Sequence, residues 1–443
     1  MRHHARGKGA GRGPRSARGL TRRGFLGAAA AGPLVLAASA RGANDRIALG
    51  CIGTGGRGTA VMRSFLPLDG VQVVAVCDVQ RDRRENARRL VLKHYADAGG
   101  GQAACAATAD FREVLGRKDV DAVLLAPQDH WHGPMAVRAA AAGKDIYCEK
   151  PLGCAVADSR AIRDAVRRYG CVFQTGTQQR SSRNFRHACE LARNGYLGKI
   201  HTVDVAAPGP SYQPKYNGSL DPQPVPDGFD WDMYVGPAAE KPYNPGRHAW
   251  PDWYLIWDYC AGFIVNWGVH HLDIAHWGCP SIGTTAFDLE CKGTFRHKGL
   301  TDNISGWQAA FRFADGLRMR FSDTGHPYAQ GCRFEGDEGW VHVNRRGIQA
   351  EPSSLLNVRL KPADTPLHAS AHHQADFVEA VRTRRDPVSP VESGHVASTL
   401  GLLGEVAARV GRPIRWDWKH ERLLDAAAAE PWLARPMRSP WHL

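Results

Sequence analysis

This sequence predicts an α/β protein in two parts: a doubly wound parallel sheet, then an α/β domain built on a mainly antiparallel sheet. Three observations carry that reading. A strand, a glycine-rich turn and a helix follow one another over residues 46–65. Strand-like and helix-like patterns then alternate to about residue 175, which implies parallel strands joined by helices. Past residue 200, short strands with polar/apolar alternation and short connections take over, so the second sheet is mainly antiparallel.

The first element is the apolar run 46–52, which feeds Gly53-Thr54-Gly55-Gly56-Arg57-Gly58 and then a helix from Thr59. Gly53 allows the tight turn, Gly55 lets backbone approach a pyrophosphate, and Gly58 lets the helix pack on the strand. A second buried-type strand, 71–77, ends at Asp78, twenty residues beyond Gly58. A carboxylate there accepts both ribose hydroxyls of NAD and repels the 2′-phosphate of NADP. NAD is therefore the expected cofactor and NADP the less favoured one.

A charged helix is predicted over 81–98, a break at the glycines 99–101, a strand within 119–126, an alanine-rich helix over 134–142 and a strand at 145–148. That last strand ends at Glu149-Lys150-Pro151. Ligands of such sheets sit outside the carboxyl ends of the strands. The glycine turn, Asp78, the segment Pro127-Gln128-Asp129-His130-Trp131-His132 and the Glu149-Lys150-Pro151 triplet all fall there. Pro127, His130, Trp131 and His132 either line the nicotinamide region or cap a helix. Strands follow over 200–207, 284–291, 306–313, 317–323 and 340–344, with closing helices at 374–383 and 396–410. Between them, 208–259 is crowded with proline, glycine and aromatics, among them Trp253. Those rings suit sugar C–H faces or, equally, a small core or subunit contact.

The net charge of +13 is not a nucleic-acid signal. Residues 1–40 hold eight Lys or Arg and no acid, which leaves +5 for the rest. That leader carries Arg22-Arg23 before a mildly apolar stretch and then Ala38-Ser39-Ala40. The layout is that of a twin-arginine export signal with an A-x-A cleavage site, predicting a periplasmic protein, or a membrane-anchored one if cleavage fails. After residue 40 no run is long and apolar enough to span a bilayer. The eleven cysteines show no zinc spacing, and a disulfide framework is not expected.

The second chemical cluster runs from Asn266 to Trp277, with a helix beginning near residue 269 or 270. His270 and Asp273 then share a face and His271 turns away. A metal held by His270, Asp273 and His276 is poorly served by that spacing, so acid–base chemistry is favoured and no metal is expected.

The glycine fingerprint, Asp78, Glu149-Lys150-Pro151 and the Asn266-x-x-x-His270 cluster together resemble the Gfo/Idh/MocA oxidoreductases. The phrase Gln174–Arg180 and the ending Arg435–Trp441 resemble a large exported branch of that family. The resemblance implies a Rossmann NAD-binding domain (44–172) after the 1–40 leader. It also implies a C-terminal substrate and oligomerisation domain (173–443) whose large open sheet makes a homodimer or homotetramer. It implies Lys150 and His270 as catalytic residues, with Glu149 orienting Lys150 or the cofactor. The family commonly carries aspartate where this chain has Asn266; asparagine can position an imidazole or a hydroxyl but cannot take a proton. Asn266, His271, Gln178, Arg180, Arg183 and Trp253 are the candidate substrate contacts. The expected activity is hydride transfer between tightly bound nicotinamide and a secondary hydroxyl of a sugar, glycoside or polyol. Redox-neutral glycoside cleavage with bound NAD and a non-enzymatic nucleotide-binding role stand as alternatives.

Overall fold

The computed structural model describes residues 46–99, 104–209, 213–295, 297–323, 330–424 and 427–443. The twin-arginine leader expected over residues 1–40 lies outside the described residues.

Six parallel strands form the first sheet: β1 (Ile47–Ile52), β2 (Val71–Cys77), β3 (Ala106–Thr108), β4 (Ala122–Leu125), β5 (Asp145–Cys148) and β6 (Phe173–Thr175), in the order β3-β2-β1-β4-β5-β6. β4 and β5 are buried along their whole length, which is why, apart from Asp145 at the start of β5, their residues show no polar alternation. The order reverses beside β1, and its carboxyl end is where the glycine turn begins. The expected boundary at 172/173 falls too early, because β6 pairs with β5 from Phe173 to Thr175. The chain also returns: helix His373–Thr383 lays Phe377 and Val381 into the core that contains Leu49, Phe65 and Tyr147. Trp441 likewise packs its ring on Trp131.

The second sheet has nine strands: β7 (Ile200–Ala207), β8 (Phe287–Phe295), β9 (Ile304–Phe313), β10 (Arg318–Asp323), β11 (Gly331–Gly336), β12 (Gly339–Asn344), β13 (Gly347–Glu351), β14 (Ile414–Asp417) and β15 (Arg422–Leu423), ordered β13-β12-β11-β7-β10-β9-β8-β14-β15. Its pairs are antiparallel except β7 with β10, which run parallel. Alternation fits a sheet with one covered face: along β10, Met319 and Phe321 are buried while Arg318 and Arg320 are exposed. Helices Gly268–Gly278 and Val391–Val410 share that buried core. The aromatic segment 208–259 makes its own small core of Tyr234, Val235, Ala238, Ile256 and Tyr259, with Phe229, Trp231 and Trp253 packed on it.

The same segment also straps the first sheet. Arg81 N–H donates to Gly228 O at 2.8 Å, and Asp230 N–H donates to Val79 O at 3.0 Å. All eleven cysteines are free thiols, ten of them buried.

Candidate active site

A cleft of about 880 Å³ opens between the two sheets. Its floor is the glycine turn. Gly53 sits at φ +82°, and a Cβ on Gly58 would lie 1.8 Å from Gly53 O, so no side chain fits there. Helix Gly56–Phe65 begins from an extended Gly55 with no side-chain cap, leaving its first N–H groups to a ligand. Such a cradle fits a pyrophosphate. Asp78 holds the adjoining turn, its Oδ2 accepting Thr54 N–H at 2.8 Å and its Oδ1 accepting Gln80 N–H at 2.9 Å. Oδ2 also accepts the Thr54 hydroxyl at 3.5 Å, so Oδ1 is the oxygen that keeps a lone pair for a ribose hydroxyl. Burial raises the Asp78 pKa, and the nearby Arg83 cation opposes that rise. A smaller cavity of about 60 Å³ runs on from here, lined by Gly53, Asp78, Trp131, Met233 and Tyr234.

The end of β5 supplies the next wall. Glu149 is buried; its Oε1 accepts from Arg57 Nη2 at 2.9 Å and from Gln178 Nε2 at 3.0 Å. Lys150 follows, and its bond to Pro151 is cis. Lys150 Nζ donates to Asn266 Oδ1 at 2.6 Å. Asn266 in turn donates Nδ2 to Asp129 Oδ2 at 3.1 Å. Burial lowers the Lys150 pKa, and the charges of Glu149 and Asp129 push it back up. His270 closes the same wall from helix Gly268–Gly278, edge-on to Trp267 with ring centroids 5.6 Å apart. Burial pushes its pKa well down, helped by the cations of Lys150, Arg345 and Arg57. Both effects disfavour the imidazolium.

Three buried groups on this lining carry polar atoms with no partner among the described residues: Glu149 Oε2, both amide atoms of Gln179, and His270 Nδ1. Unpaired buried polar atoms are costly unless a ligand satisfies them. All four atoms lie beneath the cleft surface, so a ligand reaches them only if a side chain turns.

Most residues singled out from the sequence meet here. Gly55, Gly56, Arg57, Gly58 and Pro127 line the cleft on one side; Gln178, Trp253 and Asn266 line the other. His132 also lines it, but its nitrogens face carbonyls, Nδ1 at 2.5 Å from Pro151 O and Nε2 at 3.2 Å from Pro127 O. The ring therefore ties two strand ends together. Five residues lie elsewhere. His130 Nε2 sits 3.1 Å from Tyr234 O under the strap, and Trp131 Nε1 donates to Met233 O at 3.0 Å, so both anchor the strap, and only Trp131 touches a cavity, the smaller one. Arg180 is buried in a bidentate pair with Asp273 at 2.8 and 2.7 Å, its plane over Trp277. That pair also takes Asp273 out of any metal constellation. Arg183 is exposed at a helix start, away from the cleft. His271 is fully buried behind His270, pointing at Gln330.

Asp129, Gln179, Tyr254 and Arg345 are cleft residues that the sequence-derived set leaves out. Asp129 and Gln179 sit inside motifs already quoted, so the signal was present. Arg345 comes from the β12–β13 turn, and nothing in its local sequence marks it.

Residues 47–177 match the oxidoreductase family's NAD-binding Rossmann fold, and residues 184–443 match that family's C-terminal α/β domain. This chain belongs to the Gfo/Idh/MocA oxidoreductase family. Residues 47–177 thus form an NAD-binding domain. Among curated relatives of this family member, a myo-inositol 2-dehydrogenase of Thermotoga maritima is 28% identical over 205 residues, 45% of this chain and 58% of that enzyme. A glycosyl hydrolase family 109 protein of Stenotrophomonas maltophilia is 27% identical over 323 residues, 69% of each chain. The match thus spans little more than half of the first relative's length. Among solved structures, the aldose-aldose oxidoreductase of Caulobacter crescentus, crystallised with glycerol, superposes with a TM-score of 0.60 at 19% identity, over 84% of this chain and 99% of that one. At that identity the likeness speaks for the fold.

Proposed function

We propose that this protein oxidises and reduces a secondary hydroxyl of a sugar, glycoside or polyol, using a tightly held NAD. The observation that carries the reading is that Lys150 and His270 share one wall of the cleft that begins at the glycine turn. Bound there, nicotinamide supplies the acceptor for the hydride. The chain's own residues handle the proton. Lys150, its ammonium destabilised by burial, takes the hydroxyl proton in one direction and returns it in the other. His270 resists protonation among its cationic neighbours, so it accepts a hydrogen bond and orients the alcohol.

Asp78 favours NAD over NADP. The strap formed by 227–235 supports slow release of the cofactor, because it closes over the edge where the adenosine end would lie. Slow release suits a protein exported folded by the twin-arginine route to a periplasm without free NAD. We place the homodimer or homotetramer interface on the open face of the nine-stranded sheet, where charged pairs such as Arg320–Asp204 lie; light scattering on the mature protein tests it.

The deciding experiment is to identify nucleotide released from purified protein and follow reduced-nicotinamide absorbance as sugars, polyols and glycosides are added. Reduction by one class names the substrate; no bound nucleotide and no affinity for added NAD would overturn the reading. A second reading, redox-neutral glycoside cleavage, is favoured by the family 109 relative. Aglycone release without net accumulation of reduced cofactor would select it.

A further inference from the structure

The hydrogen-bond chain from Lys150 runs through Asn266 to a buried carboxylate, Asp129. Asn266 accepts from the Lys150 ammonium at 2.6 Å and donates to Asp129 at 3.1 and 3.3 Å. An amide has one accepting and one donating end. Turning it over would set NH₂ against an ammonium and C=O against a carboxylate, so the network fixes its orientation. Asp129 is only 2% exposed, and its other side-chain partner is the Cys260 thiol. The negative charge therefore stands one amide beyond Lys150.

We propose that Asp129 is a positioning residue for Lys150, acting through the Asn266 amide, and that residues 129 and 266 are chemically matched as a carboxylate and its bridge. The proposal rests on the reading of Lys150 as the proton-handling group. It accounts for the departure at 266. Where the family commonly carries an aspartate, this chain has an amide, and it holds the carboxylate on the turn after β4. An aspartate at 266 would bring two carboxylates within about 3 Å in a dry site, and one of them would have to keep a proton. The other charged or titratable groups around Lys150 are Glu149, Arg57, Cys260, His270 and Tyr254, and of these only Tyr254 also hydrogen-bonds the Asn266 side chain.

The test uses Asp129→Asn, Asn266→Asp and the double swap, each purified as it folds with its nucleotide. Two readouts are taken: reduction of bound cofactor by substrate across pH, and trace acetylation of Lys150 by acetic anhydride across pH, read on its peptide by mass spectrometry. Asp129→Asn is expected to slow reduction on the order of tenfold or more and to move Lys150 acetylation to lower pH. Asn266→Asp moves acetylation to higher pH, and the double swap restores most of the rate. An unmoved acetylation profile in Asp129→Asn, or a swap no better than the worse single variant, overturns the proposal. Should Asp129→Asn fail to fold, Asp129→Ser takes its place, and an unmoved acetylation profile there overturns the proposal. Acetylation needs no substrate, so failure of every sugar to reduce the cofactor would defeat the proposed activity and leave this result standing by itself.

Discussion

Arg57 of the glycine turn donates a 2.9 Å hydrogen bond to Glu149, joining two motifs 92 residues apart in the chain. Arg57 is half exposed and Glu149 buried, so the bond draws a surface cation over a sunken carboxylate. Gly176 closes the other side; a Cβ there would come within 2.7 Å of Glu149 Oε1. The carboxylate is thereby held beside Lys150, and of the nearby charges it opposes the lysine's downward pKa shift most.

Glu149→Gln is accordingly expected to lower the Lys150 pKa further. Because the amine must be free to take the alcohol proton, the acid limb of the rate profile moves to lower pH. The rate itself falls on the order of tenfold or more, as Arg57 loses its partner and the lysine its orientation. A pH-rate profile checks this; a limb that stays in place would remove Glu149 from the lysine's electrostatic surroundings.

The glycine turn gives a paired expectation. Gly58→Ala drives a methyl into Gly53 O and should cost about 3 kcal/mol and strip the protein of nucleotide. Gly56→Ala meets nothing within 4 Å and should change stability by no more than about 1 kcal/mol. Thermal melts with nucleotide analysis separate the two. Equal behaviour would mean that the close approach at Gly58 does not shape the cradle.

What the sequence revealed, and what it hid, follows from locality. The strand–glycine–helix turn, Asp78 and the Glu149-Lys150-Pro151 triplet are short-range patterns at strand ends, and the fold brings the turn and the triplet to one cleft, with Asp78 on the small cavity beside it. The Val156–Tyr169 and Arg183–Arg193 helices were not drawn from the sequence, although Gly170 ends the first in a left-handed conformation. Arg180 and His271 look like polar site residues because nothing local shows that one faces Asp273 and the other the core. Partners 93 residues apart are set by packing, which one-dimensional spacing does not encode. The strap role of 208–259 was hidden for the same reason: its aromatic content is visible, but its pairing with Val79 and Arg81 is not.

The Arg180–Asp273 pair separates a structural role from a substrate role. Arg180→Leu leaves Asp273 buried and unpaired, which should destabilise the fold by about 3–5 kcal/mol. Replacing both residues by leucine should recover much of that loss, because the stranded charge is gone. Denaturant unfolding of the single and double variants measures the coupling. A rise in KM with unchanged stability would instead return Arg180 to the substrate site.

Acid stability tests the buried histidines. Burial lowers His130 and His373 to about 4 and His271 to about 3. In the unfolded chain each titrates near 6.5, so between that value and the folded one the unfolded state binds more protons. The stabilisation they provide is complete above about pH 6.5 and is lost as pH falls toward 4, at up to about 3 kcal/mol for each ring. The melting temperature should therefore drop steeply across this window and be flat just above it. His271→Gln, which cannot take a proton, should shallow the slope even if it lowers the melting temperature at neutral pH. A slope unchanged in that variant would mean that His271 is not held neutral by the fold, and that the core behind His270 admits a charge.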